Sequence, residues 1–199
     1  LHAGFYTDPE VFEQCKERIF SPSWQFAGST ELVKTPGEVY PFTLLEGYLD
    51  EPLLLTNDKN GKINILSNVC THRGNLVADK ACKINNLRCR YHGRMFGLDG
   101  KFLSMPEFKE VENFPAEEDN LPKLTPFKWG NWLFASLNKK YKPELFFRDM
   151  IDRVSWLPLK DFKFDPSLSR VFNVKANWAL YCENYLEGFH IPFVHAGLN

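Results

Sequence analysis

Four residues of metal-binding types form two short pairs in the middle of the chain. Cys70 and His72 form the first pair, Cys89 and His92 form the second, and 16 residues separate His72 from Cys89. Each pair supplies one thiolate and one imidazole, which are ligand types that suit zinc and iron. A glycine closely follows each pair, and glycine allows a loop to turn tightly around a metal group.

Three interpretations of these four residues stay open. They could be thiols and hydrogen-bonded histidines of a core without metal, or they could bind one tetrahedral zinc ion. They could also hold a [2Fe–2S] cluster, with both cysteines on one iron and both histidines on the other. Zinc sites usually pair cysteine with cysteine and histidine with histidine, whereas mixed pairs suit loops that each contribute to both irons.

A second group of polar residues lies near the end of the chain. Glu183, Glu187 and His190 follow the spacing i, i+4 and i+7, which predicts one face of a helix. Their neighbours are largely aromatic or aliphatic, so we expect this face to line an interior site. His195 is off that face, and Pro192 predicts a break that swings both imidazoles toward one point.

Two imidazoles that converge beside carboxylates supply two of the three ligand positions of a 2-His-1-carboxylate iron site. Taken alone, this spacing is more typical of two ordinary histidines. The rest of the chain therefore has to decide between these alternatives.

The two middle pairs, written C-x-H-R-G and C-x-Y-H-G, resemble the Rieske signature and are most similar to its ferredoxin and oxygenase branch. The resemblance implies a [2Fe–2S] cluster bound by Cys70, His72, Cys89 and His92. Respiratory Rieske proteins have a serine where this chain has Arg94. Fewer hydrogen bonds to sulfur predict a less stabilised reduced cluster and a potential at the low end of the Rieske range.

Respiratory Rieske proteins also have a disulfide between the two loops. Asn75 and Tyr91 occupy those positions here, so the resemblance implies that this bridge is absent. Oxygenase relatives often have tryptophan at the position of Arg94. Cys82 lies outside the pattern, and we interpret it as a buried free thiol.

The segment 177–195, with N-W…E-N-Y-L-E-G-F-H-I-P-F-V-H, closely resembles the iron-binding stretch of Rieske non-haem iron oxygenase α-subunits. The resemblance implies that His190 and His195 bind a mononuclear Fe(II). It implies that Glu187 is the catalytic acidic residue that links His92 of one subunit to the iron of its neighbour. The family's third ligand is a carboxylate further along, so we expect it beyond residue 199, in a longer protein.

The resemblance implies an oxygenase component that receives NAD(P)H-derived electrons from a reductase or ferredoxin. These electrons would pass through the cluster to Fe(II), which activates O2 to hydroxylate an organic substrate, either aromatic or a small amine. We expect a homotrimer at full length and no activity from this part alone. The alternative is a Rieske ferredoxin-like electron carrier without its own catalysis, which would not need residues 187–195.

The elements that must position these groups can also be predicted. The capping pattern at Thr7–Glu10 begins a helix that ends at Ser21-Pro22. Short strands follow from about residue 24 to 137, and the turn dipeptides Asn60-Gly61 and Asp99-Gly100 predict two hairpins.

Further along, four prolines and the acidic cluster 117–119 predict a solvated loop over 106–126. Apolar residues at helical spacing predict a helix ending at Pro158, namely Phe146, Met150, Val154 and Leu157. A strand over 169–175 and a helix over 177–190 complete the chain.

These elements predict an α+β protein with a small all-β Rieske domain between helical segments of an incomplete helix-grip catalytic domain. The expected boundaries are 1–22 for the flanking N-terminal helix, 23–140 for the Rieske domain and 141–199 for the start of the catalytic domain.

The composition excludes other classes of function. The chain has 24 basic and 25 acidic residues, so it lacks the basic surface of a nucleic-acid-binding protein. It has no apolar run near the ~18 residues of a membrane span. Five cysteines, an odd number, argue against a disulfide framework and for a reducing, cytoplasmic location.

Overall fold

The computed structural model describes residues 1–108, 111–195 and 197. The chain divides into two compact units, one combining Leu1–Glu17 with Asp165–Asn199 and the other comprising Arg18–Phe164. The predicted domain boundaries, after residues 22 and 140, stay a prediction. We describe each unit separately.

All strands of the described residues lie in the second unit. The strands are β1 Gln25–Ser29, β2 Glu38–Leu44, β3 Glu51–Asn57, β4 Ile63–Ser67, β5 Cys82–Lys83, β6 Asn86–Arg88, β7 Met95–Gly97, β8 Phe102–Ser104, β9 Lys123–Leu124, β10 Phe127–Trp129 and β11 Trp132–Ala135. They form three antiparallel sheets, with strand orders β1-β11-β10, β5-β2-β3-β4-β9 and β6-β7-β8. This arrangement confirms the small all-β domain.

Both predicted hairpins are present. Strands β3 and β4 pair antiparallel across the turn that contains Gly61, and β7 and β8 pair across the turn that contains Gly100. The two glycines have φ values of 76° and 88°, a left-handed conformation in which a β-carbon would be strained.

The central strand β3 separates two hydrophobic cores, because successive side chains of a strand point to opposite faces. Leu54 packs into one core, whereas Leu53 and Leu55 pack into the other. All three are fully buried, and each contributes about 1.5–3 kcal/mol through burial of apolar surface. The Leu54 core also contains Cys70 and Cys89, so the sheet supports the candidate ligands directly.

The prediction of one continuous helix ending at Pro158 is wrong. Two short helices, α3 Pro143–Phe146 and α4 Arg148–Arg153, meet at Phe147. Phe147 is buried and its ring stacks on that of Phe127 at 4.9 Å, whereas the predicted residues Phe146 and Met150 are exposed. Packing against aromatic side chains of the neighbouring strands therefore buries Phe147 in place of the predicted Phe146 and Met150.

Helices dominate the first unit. They are α1 Gly4–Thr7, α2 Pro9–Cys15, α5 Trp178–Leu186 and α6 Ile191–Val194, with a π-helical turn at Lys16–Phe20 after α2. One short 3-10 turn of this unit lies at Pro166–Leu168, and the second unit contains others at Thr30–Val33, Glu117–Asp119 and Leu159–Asp161. None of the helices in the described residues has the length and apolarity that crossing a membrane requires.

The ends of the chain meet in this unit. The Asp8 carboxylate caps α2 by accepting from the Glu10 N–H at 2.9 Å, so the helix begins within the predicted Thr7–Glu10 segment but without the predicted capping box. The Asn177 side chain caps α5 and also donates to the Tyr6 carbonyl at 3.2 Å. Phe5 packs edge-on against Trp178 at 6.0 Å, so α1 lies against the start of α5.

Two predictions for the C-terminal segment are wrong. Residues 169–175 form no strand; Val171 and Phe172 are more than four-fifths exposed, and no strand of the described residues pairs with them. Helix α5 ends at Leu186, and Glu187 is extended, with φ −120° and ψ 150°. The break therefore precedes Pro192, which lies in the first turn of α6.

Asp58 organises the turn between β3 and β4. Its carboxylate accepts from the N–H groups of Asn60 at 2.9 Å and Lys62 at 3.1 Å, and from the Asn64 amide at 3.3 Å. Burial favours the neutral acid, but these hydrogen bonds outweigh it and hold the pKa of Asp58 below its usual value.

We expect Asp58→Ala to lower the free energy of unfolding by about 1–3 kcal/mol at pH 7, because the N–H groups of Asn60 and Lys62 lose their side-chain acceptor and the Asn64 amide loses one of its acceptors. Asp58→Asn, which keeps one acceptor oxygen, should cost less.

Because folding lowers the pKa of Asp58, its charge stabilises the fold fully above about pH 4 and loses this effect as the pH falls through the folded-state pKa. Urea unfolding at pH 7, 5 and 3 should show the wild type and Asp58→Asn converging only at pH 3. An unchanged difference at pH 3 would contradict this role of the charge.

Candidate metal centre

The two Cys/His pairs lie in loops of the same length and closure. The first loop, residues 70–75, lies between Val69 and Leu76, which form an antiparallel bridge. The second loop, residues 89–94, joins β6 to β7, whose last and first residues pair in the same way. The two loops are therefore equivalent in backbone structure, although the histidine is the third residue of one and the fourth of the other.

The same two backbone hydrogen bonds close each loop. The cysteine N–H donates to the carbonyl of the sixth loop residue, and the glycine N–H at the fifth position donates to the cysteine carbonyl. These bonds are Cys70 N to Asn75 O at 2.9 Å, Gly74 N to Cys70 O at 3.0 Å, Cys89 N to Arg94 O at 2.9 Å and Gly93 N to Cys89 O at 3.0 Å. Gly74 and Gly93 have φ values of 69° and 74°, so the closure needs the left-handed conformation of glycine.

The loops direct their thiols inward and their imidazoles outward. Cys70 and Cys89 are each 2% exposed, whereas His72 is half-buried and His92 is exposed. The two imidazole rings lie 4.7 Å apart, centroid to centroid. This donor set fits a [2Fe–2S] cluster that has a buried thiolate-bound iron and an outer imidazole-bound iron.

The surroundings of the thiols affect their protonation. Burial raises the pKa of the Cys70 thiol, and its contact with the Cys89 thiol raises it further. Iron must therefore displace a proton from the metal-free site when it binds. The Asn75 amide lies 3.8 Å from the Cys89 sulfur, so a side chain of one loop contacts the thiol of the other.

The environment of His72 favours metal binding. Burial, followed by the charges of His92, Arg73 and Arg94, lowers the pKa of His72 and favours the neutral ring that metals require. The exposed Tyr91 ring lies 3.9 Å from His92. An aromatic surface thus borders the outer side of the site.

An ion pair with a buried cation lies behind the loops and was not predicted from the sequence. The Arg94 side chain, 3% exposed, forms an ion pair with Asp119 and also donates to the Asp119 carbonyl at 3.2 Å. The Thr71 hydroxyl donates to this same carbonyl at 2.8 Å. Asp119 therefore contacts both loops.

The predicted solvated loop over 106–126 is thus wrong around Asp119. The Asn120 side chain accepts from the Phe102 N–H at 2.8 Å, the Leu121 N–H donates to the Gly100 carbonyl at 2.8 Å, and Leu121 is buried. These contacts fix the segment to the hairpin β7–β8. The sequence held one signal for this contact: Arg94 lies within the Cys/His pattern, and a buried cation needs an anionic partner.

The C-terminal histidines are also close to each other. The rings of His190 and His195 lie 5.3 Å apart, and the His190 Nδ1 forms a hydrogen bond with the Glu187 carboxylate. Glu183 instead accepts from the Tyr6 hydroxyl. The predicted helical face of Glu183, Glu187 and His190 is therefore wrong, because Glu187 reaches His190 across the turn between α5 and α6.

Glu187 is held as a carboxylate. The hydrogen bond from His190 lowers its pKa below the usual value, and the Phe189 N–H, which donates to the same side chain at 2.7 Å, contributes. In the described residues, no group of three or more histidine, cysteine, aspartate or glutamate side chains is arranged to hold a single metal ion.

Comparison with known proteins identifies the loops. Residues 23–115 match the Rieske [2Fe-2S] domain family. The chain carries a Rieske domain and is homologous to Rieske oxygenase α-subunits. The Rieske match supports a [2Fe–2S] cofactor for this domain, while the four Cys/His residues as its ligands stay a prediction.

The homology extends past the Rieske domain. Chloroplastic choline monooxygenase of Amaranthus tricolor is 32% identical over 198 residues, which are 96% of this chain and 43% of that protein. The carnitine monooxygenase oxygenase subunit of Acinetobacter baumannii is 26% identical, over 97% of this chain and 52% of its own length. The chain spans about half the length of the curated relatives it matches.

A solved structure has the same fold. The quaternary ammonium Rieske monooxygenase CntA, crystallised with the inhibitor MMV12, superposes with a TM-score of 0.83 at 26% identity. The match covers 98% of this chain and 54% of the CntA chain. These relatives confirm the α+β fold class and the oxygenase resemblance, whereas the assignment of individual ligands stays a prediction.

The two loop glycines provide a matched test of the site geometry. A β-carbon at Gly93 would lie 3.1 Å from Pro106 Cγ, whereas at Gly74 it would meet nothing within 4 Å. We expect Gly74→Ala to cost about 1 kcal/mol through the left-handed conformation alone. Gly93→Ala should cost more and lower the content of cluster per chain, as measured by iron and sulfide analysis and by urea unfolding. Equal losses in both variants would show that the contact with Pro106 does not matter.

Proposed function

We propose that this chain is the part of a Rieske oxygenase component that receives electrons and begins the mononuclear iron site. The observation that carries the proposal is the pairing of His190 with His195 at 5.3 Å, with Glu187 bonded to His190. A Rieske ferredoxin would not need this group. Homology to oxygenases over nearly the whole chain supports the proposal over the electron-carrier alternative.

Cys70, Cys89, His72 and His92 would bind the cluster. A [2Fe–2S] cluster in this site supplies one-electron transfer. The protein keeps the thiols 2% exposed, which excludes water from the sulfur side, and leaves the His92 ring accessible to an electron donor or acceptor. The Asn75 amide near the Cys89 sulfur would replace part of the hydrogen bonding that respiratory relatives obtain from serine.

His190 and His195 would bind the mononuclear iron, which supplies O2 activation when bound. The Glu187 carboxylate holds the Nδ1 of His190, which fixes the ring and leaves the Nε2 lone pair for the metal. We place the third, carboxylate ligand outside these 199 residues.

Glu187 would also link the two metal sites of a trimer. One carboxylate oxygen accepts from His190 of its own chain. A carboxylate has further lone pairs, so it can also accept from His92 of a neighbouring subunit. Glu187 would thus connect the two centres without binding either metal.

The relatives indicate the remaining partners. Their names specify choline, carnitine and quaternary ammonium compounds, so a small amine is favoured over an aromatic substrate. We propose a reductase or ferredoxin that carries electrons from NAD(P)H as the donor. The odd number of cysteines, five, argues against a disulfide framework and favours a reducing, cytoplasmic location.

The ligand assignment predicts which cysteines matter. The wild-type chain should contain two irons and two acid-labile sulfides, and Cys70→Ser or Cys89→Ser should lose the cluster and its visible absorption. Cys82→Ser is the matched control, because Cys82 is a free thiol at the edge of the same core. Metal and sulfide analysis of the purified proteins decides. One zinc without sulfide, or loss of the cluster in Cys82→Ser alone, would contradict the assignment.

The proposed role of Glu187 predicts a specific defect in the full-length protein. Glu187→Gln keeps the side-chain size but cannot accept from two imidazoles as a carboxylate can. The Rieske spectrum and most of the iron should remain, whereas turnover should fall at least tenfold. Single-turnover reoxidation of the pre-reduced cluster by substrate and O2 measures the transfer directly. Cluster reoxidation at the wild-type rate would show that Glu187 is only a structural residue.

A further inference from the structure

The Arg94 guanidinium is buried directly behind the second loop. Its backbone carbonyl accepts from the Cys89 N–H, and its side chain extends into a pocket of three phenylalanine rings. The guanidinium carbon lies 4.9 Å from the ring centre of Phe102, 5.7 Å from that of Phe114 and 5.8 Å from that of Phe96. Aromatic rings screen a charge poorly, so its field extends into the neighbouring loops.

The counter-charge belongs to Asp119, which is partly exposed at 20% of its side chain. The Ala116 N–H donates to the Asp119 carboxylate at 2.7 Å and fixes its position. The Nε–H of Arg94 has no hydrogen-bond acceptor among the described residues. The cation is thus the more buried and the less satisfied member of the pair.

We propose that the Arg94–Asp119 ion pair sets the reduction potential of the Rieske cluster, with Arg94 raising it and Asp119 lowering it. The proposal rests on the proposed function to the extent that the chain must bind a [2Fe–2S] cluster. Arg94 and Asp119 are positioning residues in this scheme, because they act through the field at the cluster and not as ligands.

The sign follows from the charge of the cluster. One-electron reduction adds one negative charge to the cluster, and a nearby buried cation stabilises that charge more than it stabilises the oxidised form. A carboxylate has the opposite effect. The ion pair Arg90–Asp79 provides a comparison at the same loop, since its side chains are 73% and 57% exposed and water and salt screen them.

The test is a redox titration of the complete chain with its cluster, followed by visible absorption, after iron and sulfide have been measured in every variant. Arg94→Met should lower the ratio of reduced to oxidised cluster at a fixed potential at least threefold, a shift of about 28 mV for one electron. Asp119→Asn should raise this ratio at least threefold, and Arg94→Lys, which keeps the charge, should match the wild type. The control Arg90→Met should change the ratio less than twofold.

An electrostatic role predicts shifts of the reduction potential in opposite directions for Arg94→Met and Asp119→Asn. A merely structural role predicts shifts in the same direction, because both substitutions would loosen the loops. Shifts of equal sign in Arg94→Met and Asp119→Asn would overturn the proposal, and so would a shift in Arg90→Met as large as that in Arg94→Met. If Arg94→Met assembles no cluster, Asp119→Asn and Arg94→Lys still decide. A wild-type chain without iron and sulfide would instead overturn the proposed function.

Discussion

The geometry of each metal-binding loop depends on its cysteine, because the backbone N–H and C=O groups of that cysteine both form the hydrogen bonds that close the loop. Cys70 and Cys89 can be buried only because their N–H and C=O groups are bonded within the loop, since unpaired buried backbone groups are costly. The left-handed turns at Gly74 and Gly93 bring the two ends of each loop close enough for these bonds. The Val69–Leu76 bridge holds the ends of the first loop, strands β6 and β7 hold those of the second, and the Leu54 core packs against the thiols.

Local patterns predicted much of this arrangement. The Cys/His pairs, the following glycines and the turns around Gly61 and Gly100 are all properties of a few consecutive residues, and the structure contains them as expected. Asp119 was missed because its partner Arg94 lies 25 residues earlier, and no spacing rule connects them. The three neighbouring acidic residues 117–119 suggested a solvated loop, but one of them, Asp119, forms an ion pair with the buried Arg94 side chain.

The C-terminal segment shows where periodicity fails. Glu183, Glu187 and His190 have helical spacing, but the Glu187 side chain accepts from the Phe189 N–H, and this local bond competes with continuation of the helix. The contact between Glu187 and His190 therefore arises from a turn, which brings the carboxylate to the imidazole more directly than a helical face would.

The backbone and the side chain of Arg94 have different roles at the cluster site. Its backbone carbonyl closes the second loop, and any residue can provide that carbonyl. Its side chain supplies the buried charge, and only a cation can provide that. The tryptophan that oxygenase relatives often have at this position would keep the closure and remove the charge. Such a replacement would also leave Asp119 without its partner, because the carboxylate contacts Arg94 through its side chain. The two residues therefore have to be exchanged together if the potential is to change without a buried, unpaired charge.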